Sequence, residues 1–212
     1  MSLRNKAITK QNQQALKPEE VLQGLIAGNH RFVTDTQNSV DTKALLHQTV
    51  LEQNPKAIIL SCIDARVPVE LLFDQTIGDI FVARVAGNFE NTDILGSMEF
   101  ACKVAGSKLI FVLGHQDCGS IKAACNDVKL GKITAMLQNI RPAITASLME
   151  DNNDIISAKN IDFVRKVTEN NVLLTIQRIR EKSALLKEME DKDEIKIVGG
   201  VYSLSTGKVT VL

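Results

Sequence analysis

Three short runs of almost unbroken apolar residues stand out in the middle of the chain. They cover residues 57–61, 80–84 and 108–113. An apolar run without polar alternation is typical of a strand that is buried on both faces of a parallel sheet. Helical patterns lie between the runs, a short one over residues 68–73 and a longer one over 94–105. This alternation predicts an α/β fold with a parallel central sheet.

Helical patterns also lie on both sides of this central region. Pro18 opens a helix that we expect to end near Phe32, and a second helix is predicted over residues 42–51. Residues 133–190 are predicted to form helices, with Ser183 as the N-cap of the last one. The central sheet is therefore expected to be flanked by helices.

The C-terminal segment returns to a strand pattern. A fourth strand is predicted over residues 194–198, after which Gly199-Gly200 leads into two further strands, 201–204 and 208–211, joined by a turn. We expect these strands to form an antiparallel extension of the parallel sheet.

Length and composition favour a single domain. The chain has 212 residues, of which 44% are hydrophobic, which is enough to bury one sizeable core. We therefore predict one domain over residues 1–212, with residues 1–35 as an N-terminal helical arm. No apolar run is long enough to span a bilayer, so no membrane segment is expected.

The charge balance and the cysteines narrow the function. Lysine plus arginine equals aspartate plus glutamate at 25 each, and tryptophan is absent, so nucleic acid is not an expected partner. Four cysteines without even spacing favour metal or thiol chemistry over disulfides. The first twenty residues have no apolar core of a signal peptide. We expect a cytoplasmic protein, with an exported protein that has lost its leader as the alternative.

Candidate chemistry follows two of the predicted strands. Cys62, Asp64 and Arg66 come directly after the first, and His115 and Cys118 come directly after the third. The carboxyl ends of parallel strands are where α/β proteins place their sites. Two thiolates and an imidazole suit zinc, and three protein ligands leave the fourth tetrahedral position open, as in catalytic sites. Either cluster alone would fit ordinary core packing.

A shared metal would also fix the strand order. Cys62 and Cys118 can bind one ion only if the first and third strands are neighbours in the sheet. The second strand must then lie outside the first, and right-handed crossovers give the order 2-1-3-4. The switch point of that sheet falls where the metal would bind, so the metal hypothesis and the fold rule agree.

The two clusters together resemble the paired signature of the β-class carbonic anhydrases, Cys-x-Asp-x-Arg with His-x-x-Cys. The similarity extends from about Lys17 to the C-terminus. Further matching positions are Val67-Pro68, Phe73-Asp74, Gly78-Asp79, Phe81, Arg84, Ala86-Gly87-Asn88 and residues 198–212.

The resemblance implies a zinc enzyme that hydrates carbon dioxide reversibly to bicarbonate and a proton through a zinc-bound hydroxide. It implies one zinc per chain, with Cys62, His115 and Cys118 as ligands. Asp64 would accept a hydrogen bond from the hydroxide, and Arg66 would hold Asp64. In a closed, inactive state of the family, Asp64 would instead be the fourth zinc ligand.

The resemblance also implies a substrate pocket formed by Gln53, Phe81, Ala86 and Gly119. Phe100 stands where the family often has tyrosine, and we expect it to pack in the core. The bicarbonate-regulated subgroup carries a tryptophan three residues before the first cysteine, where this chain has Ile59. A homodimer or homotetramer is expected from the family, with the N-terminal arm packed on a partner subunit and Gln53 acting across the interface.

Three other functions stay open at this point. The same fold and zinc could hydrolyse another small linear molecule such as carbon disulfide. The metal could be structural, with Asp64 permanently closing the tetrahedron. A thiol redox protein using Cys118 is a third candidate, although it lacks the Cys-x-x-Cys spacing.

Overall fold

The computed structural model of the chain describes residues 3–150 and 155–212. Its strands are β1 (Leu3–Arg4), β2 (Ser39–Val40), β3 (Ala57–Ser61), β4 (Ile80–Arg84), β5 (Leu109–His115), β6 (Lys196–Tyr202) and β7 (Val209–Val211). Its helices are α1 (Lys10–Ala15), α2 (Pro18–Val33), α3 (Thr42–Thr49), α4 (Val69–Leu72), α5 (Thr92–Glu99), α6 (Gly119–Cys125), α7 (Gly131–Leu137), α8 (Arg141–Glu150), α9 (Ile161–Lys182) and α10 (Ala184–Asp191), and a π-helical turn, Phe100–Val104, continues α5. The predicted helical stretch 133–190 includes residues 151–154, and the predicted arm includes residues 1–2, all of which lie outside the described residues.

The central sheet has five strands in the order β4-β3-β5-β6-β7. The first four are parallel and β7 is antiparallel to β6. In the numbering of the predicted strands this is the order 2-1-3-4 with an antiparallel extension, so both expectations are confirmed. Ser61 at the end of β3 lies in register with Leu113 of β5 and Arg84 of β4. The residues that follow β3 and β5 therefore emerge at one edge of the sheet.

One prediction for the C-terminal segment is wrong. The two glycines do not separate a fourth strand from a hairpin, because β6 runs through both of them. Gly199 faces α9, and a Cβ there would lie 2.4 Å from Cγ1 of Val172. Gly200 pairs with Val211 of β7, and a Cβ there would lie 2.6 Å from the Thr210 carbonyl oxygen. These glycines provide space for neighbouring elements rather than a turn.

Helices cover both faces of the sheet. On one face, β3 and β5 pack against α5, α9 and α10 through side chains that include Ile58, Met98 and Ile176. On the other face they pack against α2 and α4, and Leu25 of α2 is fully buried. Ser183 caps α10 by accepting a hydrogen bond from the Leu186 N–H, as predicted. The strands of the sheet are thus held rigidly between two helical layers.

The N-terminal segment makes contacts within its own chain. The side-chain amide of Gln13 in α1 is buried and donates to the Pro55 and Ala105 carbonyl oxygens at 2.8 and 2.9 Å. Arg4 of β1 forms an ion pair with the buried Asp79 carboxylate. The packing of this arm on a partner subunit stays a prediction. Among the described helices, none is long and apolar enough to cross a membrane.

Candidate metal centre

Three candidate ligand atoms meet where β3 and β5 end. The Cys62 and Cys118 sulfurs and a ring nitrogen of His115 all lie within 4.8 Å of one another, and all three side chains are buried. The two sulfurs are 3.9 Å apart. Residues from two distant stretches of chain therefore converge on one point, as the sequence predicted.

Each of these three residues is positioned by a different element of the fold. His115 is the last residue of β5, and Cys62 follows the last residue of β3. Cys118 is the N-cap of α6, which the chain reaches after a tight turn in which Asp117 has a φ of +60°. Asparagine and aspartate are the residues other than glycine that most readily adopt this left-handed conformation. That turn lets His115 and Cys118 face the same point.

The orientation and tautomer of the His115 ring are set by its backbone contact. Its Nδ1 lies 2.9 Å from the Gln116 carbonyl oxygen, which can only accept, so Nδ1 carries a hydrogen and donates it. In the neutral ring this leaves the lone pair on Nε2, the form that binds a metal. Nε2 is buried and has no hydrogen-bond partner among the described residues. A buried nitrogen in that state is costly unless it has a ligand.

The donor set fits zinc. A zinc–sulfur bond of about 2.3 Å and tetrahedral geometry place two ligating sulfurs roughly 3.8 Å apart, and the observed separation of Cys62 and Cys118 is 3.9 Å. A disulfide would require about 2.05 Å between the sulfurs, and all four cysteines are free thiols. The Nε2 of His115 could supply the nitrogen ligand, and the hydrogen bond of its Nδ1 to a backbone carbonyl oxygen is the contact that fixes a ligating ring in zinc sites.

The two thiols act as a coupled pair. The hydrogen bond from Cys118 is the largest influence on Cys62 and lowers the pKa of Cys62 to about 4, with further help from His115 and the Gly87 N–H and against the opposing effect of burial. The hydrogen bond with Cys62 and burial raise the pKa of Cys118. The pair therefore favours a thiolate at Cys62, which is the form that binds a divalent cation.

A carboxylate and a guanidinium lie beside the three ligands. Asp64 accepts from the Arg66 Nε at 3.0 Å and from its Nη2 at 2.8 Å, a bidentate pair, and also from the Arg66 backbone N–H. These hydrogen bonds with Arg66 hold the pKa of Asp64 well below its usual range. Asp64 is therefore ionised, and Arg66 determines its orientation.

Backbone groups complete the surroundings of Cys62. Arg84, at the end of β4, donates to the carbonyl oxygens of Cys62 and Asp64 at 2.8 and 2.7 Å. The Gly87 N–H donates to the Cys62 sulfur at 3.4 Å. Sequence reasoning included Arg84 as a position of resemblance and Gly87 as part of a turn, and assigned neither a role at the metal centre. Because both act through hydrogen bonds with backbone groups across the fold, no local pattern could have revealed these contacts.

The four predicted pocket residues fall into two groups. Ala86 is next to Gly87, and Gly119 is next to Cys118 with open space where a Cβ would point, so both lie beside the metal centre. Phe81 pairs with Ile58, three residues before the end of β4, or roughly 10 Å away at the rise of a strand. Gln53 is exposed in the loop before β3, at the opposite end of the sheet. Within one chain, Phe81 and Gln53 are therefore not brought to the centre.

The expectation that Phe100 packs in the core is wrong. Its side chain is 56% exposed, because position 100 falls off the buried helical stripe formed by Met98, Ala101 and Cys102. Phe100 and Phe81 instead line an open groove of about 770 Å³ between α5 and the edge strand β4.

The other two cysteines are part of the core. Burial raises the pKa of Cys102 to about 12 and that of Cys125 to about 11. Neither belongs to the ligand group among the described residues. Both are thus inert thiols, in agreement with their positions in helical patterns.

Known structures share this fold. A Coccomyxa β-carbonic anhydrase in complex with acetazolamide superposes with a TM-score of 0.71 at 22% identity, covering 80% of this chain and 77% of that one. A β-carbonic anhydrase of the fungal pathogen Aspergillus fumigatus superposes with a TM-score of 0.71 at 23% identity, covering 91% and 90%. The chain therefore has the α/β fold of the β-carbonic anhydrases.

Sequence comparison agrees. The carbonic anhydrase family model matches residues 57–209. Carbonic anhydrase 2 of Mycobacterium tuberculosis is 31% identical over 199 residues, which cover 92% of this chain and 92% of the relative. A carbonic anhydrase of Pseudomonas aeruginosa is 27% identical over 90% of this chain and 87% of its own length. This chain therefore belongs to the β-carbonic anhydrase family.

Proposed function

We propose that this carbonic anhydrase converts carbon dioxide and water to bicarbonate and a proton with one zinc ion held by Cys62, His115 and Cys118. The observation that carries the proposal is the buried Nε2 of His115, which has no hydrogen-bond partner in the described chain and lies next to two sulfurs. Zinc bound there would supply a water molecule whose pKa is lowered to about 7, and thus a nucleophile at neutral pH.

The protein's own residues orient that nucleophile. Asp64 is ionised and its Oδ2 lies 3.9 Å from the His115 Nε2, so the carboxylate is beside the three candidate ligands. Arg66 holds the carboxylate through two hydrogen bonds and would help to balance the negative charge of two metal-bound thiolates. With Arg66 in that position, Asp64 would accept a hydrogen bond from the nucleophile that zinc supplies and so orient it toward the substrate.

The walls of the site suit a small uncharged substrate. Ala86 and Gly119 lie beside the centre and offer no charged group, so carbon dioxide can approach without competing for Asp64 or Arg66. We also propose that the protein is cytoplasmic, because ligation by Cys62 and Cys118 requires both thiols to stay reduced.

Carbon dioxide hydration by stopped-flow, with a pH indicator, tests the proposal. Zinc-loaded protein should turn over carbon dioxide, and the apoprotein should regain activity in proportion to the zinc added back. Fully zinc-loaded protein without measurable turnover would refute the assigned reaction. Parallel assays with carbon disulfide decide between the two small linear substrates.

We further propose that the chain assembles through the edge of its sheet. β4 lies at one edge, and the groove beside it exposes Phe100 and the half-buried Phe81. An unpaired strand edge with adjacent apolar surface favours pairing with a second copy. Tetrameric β-carbonic anhydrases from Sordaria macrospora share the fold, with a TM-score of 0.69. Pairing at this edge would give Gln53, Phe81 and the N-terminal arm a partner subunit to contact.

Light scattering tests the assembly. The wild-type protein should have the mass of a dimer or a tetramer at micromolar concentration. Phe100→Glu should shift the mass toward the monomer, because it places a charge in the apolar groove. Leu173→Glu, which adds the same charge at an exposed apolar side chain of α9 outside the groove, is the matched charge control. A wild-type monomer would contradict the proposal.

A further inference from the structure

We propose that Asn171 is a positioning residue of the candidate metal centre, which holds the Gly87 carbonyl so that the Gly87 N–H stays directed at the Cys62 sulfur. Asn171 lies on α9, far from the candidate ligands in sequence, and its side-chain amide donates to backbone rather than to a ligand. The inference rests on the proposed metal site and adds a residue that acts on it through the backbone.

Two hydrogen bonds connect Asn171 to the sulfur. The Asn171 Nδ2 donates to the Gly87 carbonyl oxygen at 2.9 Å in a buried environment. The same glycine donates its N–H to the Cys62 sulfur at 3.4 Å. The carbonyl belongs to the Gly87–Asn88 peptide and the N–H to the Ala86–Gly87 peptide, so the two groups are related through the φ and ψ angles of Gly87. The bond from Asn171 anchors one of these peptides and so limits the rotations that would turn the N–H away from the sulfur.

Gly87 needs an external support of this kind. It has a φ of +88°, and a Cβ at this position would lie 2.7 Å from Cδ1 of Ile140, so only glycine fits. Glycine has the greatest backbone freedom of any residue. The turn has its own hydrogen bond from the Asn88 N–H to the Val85 carbonyl oxygen, which leaves the Gly87 carbonyl to Asn171.

The position of Asn171 is itself well determined. Its neighbour Val172 enters a space between β5 and β6 where Gly114 and Gly199 have no side chains, and Cβ atoms there would lie 2.7 and 2.4 Å from Val172. Two turns further along α9, Arg178 forms an ion pair at 2.9 Å with the buried Glu90. Helix α9 therefore holds the segment that follows β4 at two points, Gly87 and Glu90.

The amide oxygen of Asn171, which has no hydrogen-bond partner among the described residues, supports a specific role for its amide nitrogen. Asn171 is 1% exposed, and its Oδ1 has no hydrogen-bond partner among the described residues. A buried amide with an unsatisfied oxygen costs free energy that an apolar residue would avoid. The hydrogen bond that Asn171 donates to the Gly87 carbonyl oxygen offsets this cost.

The expected consequence concerns the electron density on the sulfur. An N–H hydrogen bond to a metal-bound thiolate withdraws charge from the sulfur, and outer hydrogen bonds of this kind change metal affinity or activity by about 10- to 100-fold. Without the Asn171 amide, the Gly87 N–H would lose its direction. The Cys62 sulfur would then donate more charge to the metal, which would make the nucleophile more basic but less available at neutral pH.

Cobalt substitution measures this effect separately from turnover. Asn171→Leu removes the donor and keeps the number and branching of the side-chain heavy atoms. Thr168→Val is the matched control, because Thr168 is also buried on α9 but its hydroxyl donates within the helix, to the Val164 carbonyl oxygen. In Co(II)-loaded Asn171→Leu, the sulfur-to-cobalt charge-transfer band should move to longer wavelength, and kcat/KM of the zinc form should fall about tenfold. Thr168→Val should leave the band and kcat unchanged.

A second measurement covers the case in which Asn171→Leu fails to fold. In ¹¹³Cd-loaded protein labelled with ¹⁵N-glycine, the Gly87 amide proton should show a coupling to cadmium through the hydrogen bond to Cys62, and Asn171→Ser, which removes the amide without adding apolar bulk, should weaken it. An unchanged charge-transfer band in folded Asn171→Leu, or an unchanged coupling in Asn171→Ser, would overturn the inference. Failure of cobalt and cadmium to bind at all would instead contradict the proposed metal site.

Discussion

The Oδ2 of Asp64 lies 3.9 Å from the Nε2 of His115, yet the carboxylate is turned toward Arg66, which it contacts at 2.8 Å. Asp64 is thus adjacent to the ligand group without joining it. The group that could hold a metal ion thus consists of Cys62, His115 and Cys118, and three protein ligands are what a catalytic rather than a structural zinc site requires.

Replacing Asp64 by asparagine distinguishes these two kinds of site. Asparagine keeps the size of the side chain but loses the charge that Arg66 holds. We expect zinc content to stay at the wild-type level and kcat to fall by about 10- to 100-fold. Elemental analysis and stopped-flow kinetics on the same preparation check this. Loss of zinc with the substitution would instead identify Asp64 as a structural ligand.

The buried Glu90 is predicted to stabilise the fold. Its carboxylate is 2% exposed and contacts Arg178 and Lys182 at 2.9 and 2.7 Å. Glu90→Gln would leave the largely buried Arg178 without a counter-charge, which should lower the free energy of unfolding by about 3 kcal/mol. Lys182→Gln is the control, and because Lys182 is half exposed its effect should be below about 1 kcal/mol. Denaturant unfolding measures both, and equal effects would contradict the prediction.

The glycine in the middle of β6 should not tolerate a side chain. A Cβ at Gly199 would lie 2.4 Å from Cγ1 of Val172 and 3.0 Å from the Val112 carbonyl oxygen. Gly199→Ala should therefore destabilise the protein by about 1–3 kcal/mol, because α9 must move away. Gly24→Ala in α2, where no atom lies within 4 Å of the added Cβ, should be neutral or should stabilise by up to about 1 kcal/mol. A stable Gly199→Ala would disprove the close packing of α9 on β6.

The two core cysteines, Cys102 and Cys125, should be unreactive in the folded protein. Burial raises the pKa of Cys102 to about 12 and that of Cys125 to about 11, so at pH 8 on the order of one Cys125 side chain in a thousand is a thiolate. Both should resist alkylation by iodoacetamide in the native protein. Mass spectrometry of the digested protein checks this, and rapid native modification of Cys102 would show that the core opens at that position.

The parts of the fold that sequence could predict are those set by local patterns. The apolar runs at β3, β4 and β5 lie where the periodicity indicates, and Ser183 caps α10 through its own hydroxyl. The shared metal hypothesis gave the strand order, because Cys62 and Cys118 must be close. These predictions needed only neighbouring residues and a single long-range constraint.

The parts that sequence missed depend on contacts across the fold. The sequence pattern at Gly199 and Gly200 predicts a break between strands. Nothing local reveals that Val172 occupies the space beside Gly199 and that β7 occupies the space beside Gly200. The contact of Asn171 with Gly87 spans 84 residues and has no motif. Phe100 was expected in the core because its chemistry, rather than its place on the helix, guided the prediction.

Metal content tests the central claim most directly. Wild-type protein purified under reducing conditions should contain one zinc per chain, and Cys118→Ser should lose it. Cys102→Ser, the same substitution at a buried thiol outside the ligand group, should keep one zinc per chain. Wild-type protein that binds no zinc, or Cys118→Ser that retains a full equivalent, would contradict the account.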